Sequence, residues 1–229
     1  MTTHTEVVNL LSDRASLYRL LATLYYKPLE DAQIEALAAS GLQQLTHEDS
    51  SPFANAYRNI YGSLRLRHTG TRETLAADFT GTFYGIRTIQ GRTAQPYQSL
   101  YQEEGNLLMG EARGQVYHTF KASALKVAER IDLPEDHLSF ICSYMAYLCE
   151  ATIEALSKED TELALTLIDQ QRTFFENHIH CWVPNFIDQA SAFVETRFYR
   201  GVLELTSAFI DQEEYLLSET QVLLEKSAA

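Results

Sequence analysis

The sequence predicts an all-helical protein with a single globular multi-helix domain, and three observations support this. Apolar residues recur at the three- and four-residue spacing of amphipathic helices along nearly the whole chain. No stretch alternates apolar and polar residues for long enough to require a strand. Hydrophobic residues make up 45% of the 229 residues and charged residues 21%, which suits a folded core rather than a disordered chain.

Apolar stripes and turn residues mark four helices in the first part of the chain. The first is expected over residues 5–26 and ends before Pro28, and the second over residues 31–40, with Gly41 as its stop. The stripe of the third helix is Phe53, Tyr57, Ile60, Tyr61 and Leu64, and that of the fourth is Leu75, Phe79 and Phe83.

Five more helices are expected in the second part. The fifth carries Val116, Phe120, Val127 and Ile131, and the sixth carries Leu138, Ile141, Cys142, Met145, Leu148, Cys149 and Thr152. The sixth is predicted to begin at Asp132, which caps it with Glu135 as capping-box partner, and Pro134 suits its first turn. The last three are expected over residues 161–178, 183–195 and 197–217. All of them are assigned to one domain over residues 5–222, in which residues 130–137 are a candidate hinge.

One segment, Tyr84–Ala112, interrupts the helical pattern because it contains Gly85, Gly91, Pro96, Gly105 and Gly110. We interpret it as a long loop with a short turn of helix at Pro96. Its apolar residues predict that it is ordered and packed on the body; they are Tyr97, Leu100, Tyr101, Leu107, Leu108 and Met109. Long ordered loops in compact domains are usually functional, so this segment is the first candidate site.

The net charge of −13 indicates which partners to expect. Nucleic acids and anionic membrane surfaces both attract basic proteins, so neither is an expected partner. A cationic partner is favoured, above all by residues 132–169, which hold nine acids and one lysine. Residues 58–72 hold four arginines and no acid. The alternative for the acidic surface is that it only keeps the protein soluble.

The sequence lacks a membrane-spanning segment and a signal peptide, and both absences bear on the expected cellular location. No apolar run approaches the roughly 20 residues that span a membrane, and the first residues do not resemble a signal peptide, so no stable membrane insertion is expected. Three cysteines, an odd number, fit a reducing compartment better than a disulfide framework. We therefore expect a cytoplasmic protein.

Enzyme motifs are absent from the sequence. It has no phosphate-binding loop, no dinucleotide-binding glycine pattern, no nucleophile elbow, and neither the paired-histidine zinc motif nor the Glu-x-x-His di-iron motif. No catalytic residue, cofactor or metal is therefore predicted.

Two local clusters still allow other interpretations. "HIHCW" (residues 178–182) places two histidines and a cysteine close together, as a zinc site could, although Cys142 and Cys149 fit an apolar helix stripe better than a metal site. His137 follows two acids and could be a general base, or it could simply cap or pack the helix start. A metal- or nucleotide-dependent enzyme and a helical adaptor without a defined site remain alternatives.

Several segments, in order along the chain, resemble the TorD/DmsD family of cytoplasmic chaperones, which mature molybdenum-containing redox enzymes exported by the twin-arginine route. "LPEDH" (residues 133–137) is similar to the family's E-x-P-x-D-H motif, and "FTGTF" (residues 79–83) to its aromatic motif. "QPYQSLY" (residues 95–101) resembles the Pro-aromatic stretch that follows that motif. The segments at residues 14–28, 178–186 and 198–205 resemble family helices and a connection anchored by Trp182 in the core.

The resemblance implies an all-helical TorD-like fold, no enzymatic activity, and binding of the twin-arginine leader of a molybdoenzyme catalytic subunit, together with the body of that subunit. A leader requires acids for its Arg-Arg pair and an apolar groove for its hydrophobic stretch. The implied site comprises Phe79, Phe83, Tyr84, Gln95, Pro96, Tyr97, Ser99, Leu100, Glu135, Asp136 and His137. The identity of the client, the binding of a guanine nucleotide, and the choice between a monomer and a helix-exchanged homodimer are left open.

Overall fold

A computed structural model of the chain describes residues 2–45, 51–89, 91–102, 110–127 and 133–228. The helices are α1 (Thr2–Tyr26), α2 (Asp31–Ala39), α3 (Leu42–Leu45), α4 (Ala54–Arg65), α5 (Thr71–Phe83), α6 (Ser99–Gln102), α7 (Glu111–Ala122), α8 (Leu138–Ser157), α9 (Thr161–Phe175), a π-helical turn (Glu176–His180), α10 (Val183–Ser191) and α11 (Arg197–Ala228). The described residues contain two isolated β-bridges and no strand, which confirms the all-α prediction. No helix within the described ranges is long and apolar enough to cross a bilayer.

The described residues group into two compact units, each made of chain segments that are distant in sequence. Unit 1 comprises Met1–Thr23, Tyr97–Trp182 and Ile210–Ala229, and unit 2 comprises Leu24–Pro96 and Val183–Phe209. The boundaries fall inside α1 and α11, so each of these helices contributes residues to both units. The single domain over residues 5–222 stays a prediction.

The centre of unit 1 is α8, which packs on α9. All seven residues of its predicted stripe are buried, namely Leu138, Ile141, Cys142, Met145, Leu148, Cys149 and Thr152. The polar member, Thr152, accepts a hydrogen bond from Gln171 Nε2 of α9 at 2.9 Å. The periodicity of the sequence therefore identified the core face of α8.

A buried ion pair joins α1 to α11 in unit 1. Arg14 Nε lies 3.1 Å from Glu213 Oε2, and Tyr18 donates its hydroxyl to Glu213 Oε1 at 2.8 Å. Burial alone would lower the pKa of Arg14, but the Glu213 carboxylate raises it above its ordinary value, so the guanidinium stays charged in the core. Removing one partner of such a pair is strongly destabilising because it leaves a buried charge unpaired.

The core of unit 2 is a cluster of aromatic rings. Phe83 of α5 lies at its centre, with ring centroids 5.4 Å from Tyr25, 5.2 Å from Phe79 and 5.6 Å from Tyr199. These edge-to-face contacts are the favoured geometry for aromatic pairs. In the same unit, Gly201 lets α11 approach α4 closely, because a Cβ at this position would lie 2.9 Å from the Ala56 carbonyl oxygen.

Several predicted helix boundaries are wrong. α10 ends at Ser191 rather than at residue 195, and α11 continues to Ala228 rather than ending at residue 217. α7 ends at Ala122 rather than continuing through Val127, because Ala124 takes a φ of 56° and Leu125 N donates to the Phe120 carbonyl. Ile131 lies outside the described residues. α8 begins at Leu138 with His137 as its N-cap. The predicted cap Asp132 lies outside the described residues, and Pro134 and Glu135 belong to the turn before the helix.

Candidate functional site

In unit 1, the candidate site lies where the segment 97–102 meets the turn 133–137. Tyr97 and His137 pair as an antiparallel bridge. Gln98 N donates to the Asp136 carbonyl at 3.2 Å, and Ser99 N donates to the Asp136 carboxylate oxygen Oδ2 at 2.9 Å. Asp136 therefore holds the start of α6 through both its main chain and its side chain.

Two polar atoms of this contact are buried without a hydrogen-bond partner among the described residues. The Asp136 side chain is fully buried, and its second carboxylate oxygen, Oδ1, has no hydrogen-bond partner within the described ranges. The same holds for the hydroxyl oxygen of Ser99. Native proteins leave few buried polar atoms unpaired, because each costs free energy of desolvation. The pair therefore marks a place where a further hydrogen-bonding group would be stabilised.

His137 is buried and has a structural function. Its Nδ1 accepts the Ser139 main-chain N–H at 3.2 Å, which places the proton of the neutral ring on Nε2. Its ring meets that of Tyr97 edge to face, with centroids 4.8 Å apart. Burial lowers the pKa of His137 to about 3, so the imidazole is neutral near pH 7. The interpretation that His137 caps the helix start is confirmed.

Glu135 is the more accessible of the two acids, and an arginine of the chain already occupies it. Arg113 Nε of α7 lies 2.6 Å from Glu135 Oε2, with 38% of the arginine side chain and 16% of the glutamate side chain exposed. The hydrogen bond to Glu135 raises the pKa of Arg113, and the charge of Asp136 adds to this effect. Both carboxylates therefore act on one guanidinium.

The other side of the segment 97–102 is held by the π-helical turn, a contact that the sequence did not reveal. Gln98 Nε2 donates to the Asn177 carbonyl at 2.8 Å, and Gln98 Oε1 lies 3.0 Å from Nδ1 of the buried His178. Burial lowers the pKa of His178 to about 4. Trp182 is fully buried and donates to the His178 carbonyl, which confirms the predicted core anchor.

The metal interpretation of "HIHCW" finds no support in the part of the chain that the structure describes. No group of three or more histidine, cysteine, aspartate or glutamate side chains there could hold a metal ion. Its first histidine, His178, instead bonds Gln98. No motif marks Gln98, and glutamine is common enough that only the three-dimensional contact reveals its role.

The predicted site residues in unit 2 differ in exposure. Phe79 and Phe83 are buried in the aromatic cluster, and Pro96 is buried as well. Tyr84 is 45% exposed, and its carbonyl accepts a hydrogen bond from the half-buried Gln95 side chain at 3.4 Å. In unit 1, Tyr97 and Ser99 are buried, whereas Leu100 is half-buried. Leader binding by all of these residues stays a prediction.

Unit 1 also contains an apolar cavity of about 290 Å³ that the sequence did not predict. Its lining comes from α7, α8 and the residues after α7, and consists of Phe120, Leu125, Lys126, Val127, Phe140, Ser143, Tyr144 and Tyr147. The cavity adjoins the candidate site through Phe140, whose ring centroid lies 5.8 Å from that of His137. An apolar group of a ligand bound in this cavity would lie beside Phe140, whose ring contacts that of His137.

Comparison with known proteins gives consistent matches over most of the chain. The family model described as "Nitrate reductase delta subunit" matches residues 46–188. A Vibrio cholerae protein named "Chaperone protein TorD" is 27% identical over 218 residues, which cover 93% of this chain and 96% of that protein. Proteins of the same name from Shewanella oneidensis (28% over 219 residues, 90% and 91% covered) and Shewanella pealeana (27% over 231 residues, 96% and 97% covered) are similarly related.

Proposed function

The chain belongs to the nitrate reductase delta subunit family, to which TorD chaperones also belong, and from this premise we propose that it is a chaperone for maturation of a molybdenum-containing redox enzyme. The observation that carries the proposal is the match to relatives named as TorD chaperones over nine-tenths or more of both chains. The proposal includes a cytoplasmic location, because a client must receive its cofactor before export.

We further propose that the chaperone binds the twin-arginine leader of its client at the turn 133–137. Glu135 supplies a carboxylate on a side chain that is 16% exposed and paired with Arg113, and the charge of Asp136 adds to the attraction for a cation. A guanidinium can form two parallel hydrogen bonds to a carboxylate, whereas a lysine ammonium acts as a point charge. Arginine should therefore be preferred over lysine at this position.

The apolar stretch of the leader has two candidate surfaces. One is the surface of unit 2 around Tyr84, which is 45% exposed. The other is the cavity beside Phe140 in unit 1. Tyr147→Ala tests the second surface, because Tyr147 lines the cavity and is 39% exposed, so its removal has little effect on the core.

Calorimetric titration with leader peptides tests the proposal. We expect a leader with an Arg-Arg pair to bind more tightly than the same peptide with Lys-Lys, and both to bind more weakly as salt is added, since charges are screened over about 8 Å at physiological ionic strength. A scrambled peptide of equal charge is the control. Equal binding of the Arg-Arg leader and the scrambled peptide would contradict the proposal.

A further inference from the structure

The ion pair between Arg113 and Glu135 uses one N–H group of the guanidinium. The guanidinium donates to the carboxylate through Nε, and the described part of the chain offers no other acceptor to it. A side-on or end-on arginine pair would use two N–H groups in parallel. The contact is therefore single, on a side chain that is 38% exposed.

The carboxylates around this arginine exceed the charge that it supplies. Glu135 is paired, but Asp136 keeps Oδ1 buried without a partner among the described residues. The charge of Asp136 acts on Arg113, because it contributes to the raised pKa of that guanidinium. Among the described residues, two carboxylates therefore act on one guanidinium, and this excess of negative charge favours binding of a second cation.

Exchange of the bound cation is energetically accessible. Single-contact ion pairs at partly exposed positions contribute little to stability, because water and salt screen them and two long side chains must be held still. An incoming guanidinium that forms two parallel hydrogen bonds would bind the carboxylate more strongly than Nε alone. A ligand arginine can therefore replace Arg113 without unfolding the turn.

We infer that Arg113 is an internal competitor that occupies Glu135 until an arginine of the leader displaces it. The inference rests on the proposed function and adds a regulatory element to it. Competition weakens binding of every leader that uses Glu135, so a leader binds only when its remaining contacts are strong enough to offset the loss of the internal ion pair. Arg113 thus sets the threshold of affinity.

Four variants of the full chain test the inference with one Arg-Arg leader peptide. Arg113→Gln should bind the leader about 1.5- to 5-fold more tightly, which corresponds to the strength of a partly exposed ion pair. Glu135→Gln should bind more weakly than wild type. The double variant should bind as Glu135→Gln does, because without the carboxylate there is nothing to compete for. The control is Arg19→Gln, which removes the same charge from another exposed ion pair in unit 1, that with Glu150.

The outcomes separate this inference from the proposed function. If wild type binds the leader and Arg113→Gln binds equally or more weakly, the competition does not exist and the proposed function stands. If Arg19→Gln gains as much as Arg113→Gln, the gain reflects net charge and the inference is wrong. If the double variant keeps the gain, Glu135 is not the contested group. If wild type does not bind the leader at all, both the proposed function and the inference fail.

Discussion

Replacing Asp136 tests whether this side chain holds the segment 97–102 in place. In Asp136→Ala, the buried main-chain N–H of Ser99 loses the oxygen that accepts it at 2.9 Å. A buried donor without an acceptor costs about 1–3 kcal/mol. Because 1 kcal/mol shifts the melting temperature of a protein of this size by roughly 2–4 °C, we expect a decrease of roughly 2–12 °C.

The matched variant Asp136→Asn keeps an acceptor oxygen for Ser99 and removes the charge, so its melting temperature should decrease less than that of Asp136→Ala. Differential scanning calorimetry measures both, with Asp169→Asn, an exposed charge on α9, as the control. If Asp136→Ala melts as wild type does, the hydrogen bond does not stabilise α6 and the reasoning is refuted. Titration of Asp136→Asn with the leader peptide then tests the role of Asp136 in binding. Weaker binding than wild type supports the predicted site, whereas unchanged binding means that Asp136 has a purely structural function.

Three further predictions concern stability. The folded-state pKa of His137, about 3, lies below its ordinary value of 6.5, so the unfolded chain binds a proton that the folded chain excludes. His137 should therefore reduce stability as pH falls from about 6.5 towards 3, by up to about 1.4 kcal/mol per pH unit, and His178, whose pKa burial lowers to about 4, adds to this loss. In urea titrations, His137→Asn should lose less stability than wild type, and His118→Asn, at an exposed position, should lose as much as wild type. Gly201→Ala should lower the free energy of unfolding by about 1–3 kcal/mol, because a backbone oxygen lies 2.9 Å from the new Cβ. Gly114→Ala, with open space around the new Cβ, should raise the free energy of unfolding by roughly 0.5–1 kcal/mol. Equal effects of the two variants in thermal melts would contradict this prediction. Glu213→Gln should destabilise by about 3–5 kcal/mol by leaving its arginine partner unpaired in the core, and a wild-type melting temperature would show that the ion pair does not stabilise unit 1.

The core of α8 was predictable because its apolar stripe is a local property of the sequence. Helical periodicity alone identified seven of its buried residues. The start of the helix was not predictable in the same way. A local capping-box pattern favoured Asp132, but the chain forms a turn through His137 instead, and Asp136 bonds Ser99 from 37 residues away. Such a contact leaves no trace in the local pattern.

The aromatic residues of α5 also show that the local sequence pattern is not sufficient to predict the candidate site. The spacing of Phe79 and Phe83 is compatible with a binding groove and with a protein core, because a helix that lines either one has apolar residues at the same helical spacing. Their burial depends on Tyr199, which is more than 100 residues further along the chain. The competitor Arg113 could not be predicted either, because the sequence of a helix does not show which acid an arginine on it will pair with.

The ion pair between Arg14 and Glu213 has a consequence for the order in which the protein folds. The two residues are 199 positions apart, whereas Gln98 and His178 are 80 apart. Closing the longer chain segment costs about 1 kcal/mol more in entropy. On a ribosome, the segments around residues 97–182 emerge well before the end of α11, so α1 has no buried carboxylate to pair with until synthesis has passed residue 213. The nascent chaperone would itself be exposed to misfolding during that interval, because unit 1 closes only after its last helix has been made.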